Sequence, residues 1–340
     1  MTAAPSDVRR VVAIETEHIG DLIVATPALR NLRRSLPDAH ITLVCPPAIV
    51  GVLRGWDAVD EIVGFDAHGE PEERRRVVSA MRGAGFDLSI ALTSNWSAYR
   101  LGRRFAARTR AGVVYGANLA HSILAPVFLT RPVRVWIFEP PADRCPIAHR
   151  AEELLRLNAA LGLCAAAGPF ELPLSAEDRA RARNRLRDLG CDKPVVLHLA
   201  AKWLQEGWNA RDVLALAEAL RTRVPGRLLL TAGPSDTECA SPFRGDGPFT
   251  LLRGLDFREW AAVLEQASVV VTHDTSAVHV TSALRRPLVA VYETTRYTVT
   301  SQQWAPWMTP NRVLRKTAPA ITAREVADAT ASLLDEVACA

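Results

Sequence analysis

No uninterrupted apolar run in this 340-residue sequence approaches the roughly 18–20 residues that cross a bilayer, so no membrane-spanning helix is expected. Residues 1–10 hold two arginines but no apolar core, so no secretory signal is read there. The six cysteines, at 45, 145, 164, 191, 239 and 339, form neither a C-x-x-C pair nor a metal-ligand spacing. Reduced, structural thiols in a cytoplasmic protein are the expectation. Excess charge is small, +4, and no Lys/Arg block is interleaved with aromatics, which argues against nucleic acid as a partner. Arg74-Arg75-Arg76 follows Glu70, Glu72 and Glu73, the pattern of a solvated helix face. Phosphate-binding G-x-x-x-x-G-K-[ST], a well-placed G-x-G-x-x-G and a G-x-S-x-G elbow are all missing. Nucleotide hydrolysis, nicotinamide-linked redox chemistry and serine hydrolysis lose their usual signatures accordingly.

What is present is an α/β alternation. A hydrophobic fraction of 49% and a charged fraction of 23% suit a globular protein, and the length suits two ordinary domains. Short β-branched runs at 11–14, 41–44, 59–65, 88–92 and 112–115 alternate with helical stripes at 22–36, 49–53 and 71–82. That order predicts a parallel sheet covered on both faces. Residues 116–146, with five prolines and no clean period, read as irregular with one or two short strands, and a helix follows over 149–161. The Ala-, Gly- and Pro-rich stretch 164–173 is the best linker. A second alternation then begins. Ser175–Asp178 resembles a capping box, strands are expected at 194–199, 227–232, 269–272 and 288–292, and helices at 212–224, 259–266 and 324–337. The expectation is two Rossmann-like halves facing a cleft, with domains at 1–168 and 169–322 and a last helix, 323–340, packing back on the N-terminal half.

Two strand–loop–helix units carry the chemistry. In the second, an apolar strand runs into Asp274-Thr275-Ser276-Ala277-Val278-His279, where free N–H groups at a helix start form a ready phosphate site. Thr275 and Ser276 add hydroxyls, and His279 lies about one turn along the same face. Alternatively, Asp274 or Thr275 only caps the helix. In the first unit, Gly20-Asp21 follows the strand at 11–14, at the carboxyl end of the sheet where open α/β folds bind ligands. Asp21 is either a general base or the N-cap of helix 22–36. His18 in the same loop is a second candidate for the base. Asn95-Trp96, after the strand at 88–92, suits stacking and hydrogen bonding of a sugar, or else is a partly buried tryptophan.

Read together, the two units resemble glycosyltransferase family 9, the ADP-heptose:lipopolysaccharide heptosyltransferases. Gly20-Asp21-Leu22-Ile23-Val24-Ala25-Thr26-Pro27-Ala28-Leu29 is similar to that family's G-D-x-x-x-x-x-P-A-L, and Asp274–His279 to its D-[TS]-G-x-x-H. The likeness runs in order from about residue 11 to residue 307. It implies a GT-B fold, with acceptor held by the N-terminal half and nucleotide sugar by the C-terminal half. It implies an inverting transfer of heptose from an ADP-sugar to an acceptor hydroxyl, without metal or cofactor, with Asp21 as base. His18, Gly20, Asn95 and Trp96 would meet the acceptor. Lys202, Glu238, Asp274, Thr275, Ser276 and His279 would hold the donor. A saccharide, lipid-linked or small-molecule acceptor is implied, with at most peripheral membrane association, for which the arginines of 100–110 are the candidates.

Three positions depart from the family's pattern. Aligning Trp208 with a family tryptophan puts Glu206 where a lysine is usual, and Lys202 lies four residues earlier. Ser276 replaces a glycine, and Glu293-Thr294-Thr295 replaces a Gly-Pro-Thr. Ala232-Gly233-Pro234-Ser235-Asp236-Thr237-Glu238 resembles G-G-P-x-x-x-E, in which Glu238 or Asp236 accepts from a ribose hydroxyl or simply ends the strand. The departures leave two alternatives open: a relative that binds nucleotide or saccharide without catalysis, and another GT-B enzyme such as a sugar-nucleotide epimerase.

Overall fold

A computed structural model describes residues 7–116, 119–135, 147–243 and 248–339. The chain divides into two compact units, Met1–Pro173 and Leu174–Ala340.

Unit 1 is built from β1 (Arg10–Ile14), α1 (Ile19–Val24), α2 (Thr26–Ser35), β2 (His40–Cys45), β3 (Glu61–Gly64), α3 (Pro71–Gly83), β4 (Leu88–Ala91), α4 (Trp96–Arg104), β5 (Thr109–Tyr115), α5 (Leu119–Phe128), β6 (Arg131–Val135) and α6 (Arg150–Ala160). Its six strands are parallel in the order β3-β2-β1-β4-β5-β6. Val11, Val12, Ala13 and Ile14 are fully buried because helices cover both faces of this central strand, which is why the sequence there is a continuous apolar run. Gly112 makes one close approach possible: a Cβ there would stand 3.1 Å from the Tyr99 ring and 3.2 Å from Ala91.

Unit 2 comprises α7 (Ala176–Asp188), β7 (Val195–Leu199), α8 (Ala210–Arg223), β8 (Leu228–Ala232), β9 (Thr250–Leu252), α9 (Phe257–Glu265), β10 (Val269–His273), α10 (Ser276–Ala283), β11 (Leu288–Tyr292), α11 (Tyr297–Gln303), β12 (Asn311–Arg315) and α12 (Pro319–Ala338). Its sheet is also parallel, in the order β12-β11-β10-β7-β8-β9. Renumbered from its own first strand and read from the other edge, this is the same 3-2-1-4-5-6 order as unit 1. Both units therefore reverse strand order beside their first strand, between β1 and β4 and between β7 and β10. At such a point the loops leaving the two strands diverge and open a crevice at the carboxyl edge.

Most expected elements are present within a few residues, and Ser175 and Asp178 do close a capping box on α7. The exceptions have physical reasons. Region 116–146 is less irregular than expected: α5 tolerates Pro126 and is followed by β6. Pro140, Pro141 and Pro146 lie outside the described residues. Edge strands β9 and β12 were not anticipated, since partial burial leaves them without a continuous apolar signal. Where a helix was expected at 49–53, a 3₁₀ turn covers Pro47–Ile49 and residues 50–55 continue as turn. The 164–173 stretch has neither helix nor strand, yet it is anchored to unit 1. Arg30 donates from Nε to Glu171 Oε1 at 2.9 Å and from Nη2 to Oε2 at 2.6 Å, and Trp56 Nε1 donates to Oε2 at 2.8 Å.

The last helix begins a few residues before the expected start. It starts at Pro319 and is seated in unit 2, where Ala323, Val326, Ala327 and Leu333 share a core with Val213, Leu216, Ala217 and Leu220 of α8. Arg223 pairs with Asp328 at 3.0 Å on the same contact. The apolar stripe of α12 matches that of α8, and burying it there removes it from water.

Candidate active site

In unit 1 the chemistry gathers at the switch point, where the loops after β1 and β4 meet. Helix α1 starts at Ile19, three residues before the expected start, so Asp21 is not its N-cap. That position belongs to His18, which makes no side-chain capping bond and is exposed. Asp21 lies in the first turn instead, half-buried. Burial raises its carboxyl above the usual range, Glu17 adds to this, and Arg150 and His18 act in the opposite sense. A carboxylate of raised basicity that is not used for capping suits proton abstraction. Gly20 is the second residue of α1 and has no positive φ, so it neither turns the chain nor serves a left-handed conformation.

Asn95 braces the two loops. Its Oδ1 accepts from Ala98 N at 2.9 Å, capping α4, and its Nδ2 donates to Thr16 Oγ1 at 2.8 Å and to the Glu17 carboxylate. Thr16 and Thr93 hydroxyls also meet, at 2.9 Å. Trp96 packs edge-on against Tyr99 and Phe128, each at 5.9 Å, which fits the partly buried reading.

Sequence reasoning missed the groups beneath this site. Glu15, one residue past β1, is 1% exposed. Its Oε1 accepts from the N–H groups of Thr16 (2.9 Å) and Glu17 (2.7 Å), while Oε2 has no hydrogen-bond partner among the described residues. Burial and then the Asp21 charge raise its carboxyl to about 8, so it stays protonated at neutral pH. Arg150 is buried too. It donates to Glu153 Oε2 at 2.6 Å, Leu92 O at 2.7 Å and the Tyr115 hydroxyl at 3.2 Å, and Tyr115 donates to Glu153 Oε2 at 3.0 Å. A buried guanidinium held by these bonds supplies a fixed positive field near Asp21. The only signal in the sequence was an acid directly after an apolar strand.

In unit 2 the corresponding crevice lies after β7 and β10. Lys202 sits in a 3₁₀ turn, Ala201–Leu204, and its Nζ donates to Asp274 Oδ2 at 2.9 Å. Thr275, not Asp274, is the N-cap of α10, its hydroxyl accepting from Ala277 N at 3.2 Å. Asp274 is thereby left to orient the lysine. Ser276 begins the helix, half-buried, and His279 is buried one turn on, its ring 5.9 Å from that of Trp304. An ammonium with two further N–H bonds to give, beside the positive end of a helix, is an anion-binding arrangement.

Asp236 fixes the lysine's loop. Its Oδ1 accepts from Ala201 N at 2.9 Å and its Oδ2 from Gly233 N at 3.0 Å, whereas Glu238 is exposed. Lys316, just after the unanticipated β12, is 1% exposed and donates to the carbonyls of Lys202, Trp203 and Gln205 at 3.3, 2.9 and 2.6 Å. It lies 5.0 Å from the Trp208 ring centroid. His273, fully buried with its ring 5.1 Å from that of Trp203, is pushed by burial to about 3 and stays neutral.

Two of the family departures turn out to be one. Glu206, with φ +55°, followed by Gly207 with φ +82°, turns back toward the loop after β11. Its carboxylate accepts from Thr294 N and Thr295 N at 2.9 Å each and from the Thr295 hydroxyl at 3.1 Å. The acid standing at the lysine's position holds the loop that replaces Gly-Pro-Thr. Among the described residues no three His, Cys, Asp or Glu side chains converge as metal ligands, and no helix is long and apolar enough to cross a membrane.

Comparison with known proteins identifies the family. Lipopolysaccharide heptosyltransferase 3 of Escherichia coli is 24% identical over 302 residues, covering 85% of this chain and 82% of the relative. A solved glycosyl transferase family 9 protein from Veillonella parvula superposes with a TM-score of 0.79 at 20% identity, covering 99% of this chain and 100% of that one. E. coli heptosyltransferase WaaC with ADP-2-deoxy-2-fluoro heptose superposes with a TM-score of 0.66 at 20% identity, covering 96% and 99%. These likenesses establish the GT-B type of fold. The sequence profile "Glycosyltransferase family 9 (heptosyltransferase)" matches residues 74–330, most of the chain, including the Lys202 loop and Asp274–His279 though not Asp21. The chain therefore belongs to glycosyltransferase family 9, the heptosyltransferase family.

Proposed function

We propose that this glycosyltransferase moves a heptose, or a closely related sugar, from an ADP-sugar to an acceptor hydroxyl with inversion. Asp21 takes the hydroxyl proton as the acceptor oxygen attacks the anomeric carbon. The bond from that carbon to the β-phosphate oxygen breaks, and ADP leaves with the electron pair. Lys202 and the start of α10 stabilise the charge that builds on the leaving phosphate, which is where such a site lowers the barrier. Asp274 holds the ammonium in place, and Glu238 is a candidate for the ribose. The reaction needs no metal on this reading, because an ammonium and a helix end supply the positive charge. A cytoplasmic location belongs to the same proposal, since nucleotide sugars are made there.

The observation that carries the proposal is the Lys202–Asp274 pair at 2.9 Å beside the N-terminus of α10. The similar E. coli heptosyltransferase WaaC, solved with ADP-2-deoxy-2-fluoro heptose, supports the donor. Calorimetry with ADP, UDP, GDP and dTDP tests it, followed by transfer from ADP-heptose in the presence of a chelator. Preference for ADP and chelator-resistant transfer are expected. Binding of none of the four would remove the donor assignment.

One observation favours a second reading, a binding module without catalysis. Glu206 puts a carboxylate where the family usually has a cation, and its bonds to Thr294 and Thr295 commit it to structure. That reading predicts ADP binding with no transfer to any acceptor.

A further inference from the structure

The chain carries 38 arginines and only three lysines, Lys193, Lys202 and Lys316. Lys193 is exposed, in a left-handed turn at φ +47°. The other two meet at a single loop, the one that presents Lys202 to Asp274.

Lys316 follows β12 directly and is held there by its own backbone. Its N–H donates to Tyr292 O at 2.7 Å, and its carbonyl accepts from the Thr294 hydroxyl at 2.7 Å. From that anchor its side chain reaches beneath the turn Ala201–Leu204. The turn is a 3₁₀ stretch of four residues, so the carbonyls at its C-terminal end have no further helix to serve them. Lys316 Nζ donates to three of these carbonyls, those of Lys202, Trp203 and Gln205. An ammonium has three N–H bonds to give, and all are used, so none is left for a ligand. A planar guanidinium could not converge on three carbonyls from one nitrogen, which accounts for a lysine here in so arginine-rich a chain. Burial lowers the pKa of this ammonium, and Glu206 and Glu293 act in the opposite sense.

The other end of the turn is tied by Asp236, which accepts from Ala201 N at 2.9 Å. Trp203, fully buried, donates from Nε1 to His198 O at 3.0 Å and pins the middle. We propose that Lys316 is a positioning residue for Lys202: by closing the C-terminal end of the turn, it keeps the Lys202 ammonium aimed beside the start of α10, where the donor's diphosphate would sit. A fixed backbone under a long side chain removes part of the ordering cost that binding otherwise carries. This inference rests on the reading of Lys202 as a diphosphate ligand.

The test measures ADP affinity by calorimetry on the full chain for Lys202→Ala, Lys316→Met and the double variant, with a thermal melt of each. Methionine fills a similar volume without charge or donors. Lys316→Met is expected to weaken ADP binding about three- to tenfold, and to cost less than about twofold in the Lys202→Ala background, because its effect passes through Lys202. A lower melting temperature with unchanged ADP affinity would overturn the proposal, and so would equal losses in both backgrounds. If Lys202→Ala binds ADP normally, the diphosphate reading fails and this inference falls with it. If Lys316→Met does not fold, the parent chain decides. Isotope-labelled lysine gives at most three ammonium signals in its NMR spectrum. The buried, bonded one should resist solvent exchange and should shift when ADP is added. A Lys316 signal left unmoved by ADP would also overturn the proposal.

Discussion

The ammonium of Lys202 and the carboxylate of Asp274 meet at 2.9 Å although 72 positions separate them. The register of the sheet explains the meeting. β7 and β10 pair in parallel, His198 beside Thr272, so both strands deliver their next residues to the same edge. Lys202 is about two-fifths exposed, so this pair is worth little as a surface salt bridge and more as a means of orienting an ammonium.

That geometry makes Lys202 a donor-binding residue whose loss is felt twice. Lys202→Ala should weaken ADP binding about tenfold, as expected for losing one charge-assisted bond, and should slow transfer further. Asp274→Asn should leave the fold intact and give a smaller version of both effects. Titration calorimetry and initial rates separate binding from turnover. Unchanged ADP affinity in Lys202→Ala would exclude contact with the diphosphate.

Asp21 should respond differently. Asp21→Asn keeps the shape and is expected to lower turnover on the order of 10²–10⁴-fold with ADP affinity almost unaltered. Since His18 and not Asp21 occupies the N-cap of α1, the substitution removes only a favourable charge in the first turn, about 0.3–1 kcal/mol. A fully active variant would eliminate Asp21 as the base.

Glu15 should make stability depend on pH. Its folded carboxyl is raised to about 8, against a reference of 4.5. Below 4.5 the group is protonated in both states. As pH rises the unfolded chain ionises first, so stability is lost progressively up to about pH 8 and does not return above it. The loss should be on the order of a few kcal/mol. Glu15→Gln retains an acceptor for the N–H groups of Thr16 and Glu17 and carries no charge. Urea unfolding at pH 5 and pH 9 should show a smaller drop for this variant than for the parent, and equal drops would show that Glu15 ionises normally.

Glu206→Ala should loosen one loop without unfolding the unit. Three bonds to Thr294 and Thr295 disappear, all at the surface, for a cost of about 1–2 kcal/mol. Hydrogen exchange at the Thr294 and Thr295 amides should accelerate while that of β11 stays slow. Unchanged exchange at both amides would mean that the loop is held by something else.

The sequence by itself determined the parts that local chemistry encodes. Buried parallel strands are continuous apolar runs, so β1, β2, β4, β7, β8, β10 and β11 were visible, and with them the α/β class. Gly20-Asp21 and Asp274-Thr275-Ser276 were legible because each sits just after such a strand, where a loop must begin a helix. Edge strands β9 and β12 were not visible, since half-buried strands need no apolar run, and α5 was hidden by Pro126. Which residue caps each helix start was left open, because aspartate and threonine cap about equally well. Only the tertiary structure assigned the caps to His18 and Thr275, freeing Asp21 and Asp274. It alone joined Glu206 to Thr294, 88 positions away, and buried Arg150 against Leu92 and Glu153. It alone also set Lys316 beneath the Lys202 loop. Such contacts depend on which strands become neighbours after the crossovers close. That choice is made by the burial of whole sheet faces, an energy spread over many strands and absent from any single window of sequence.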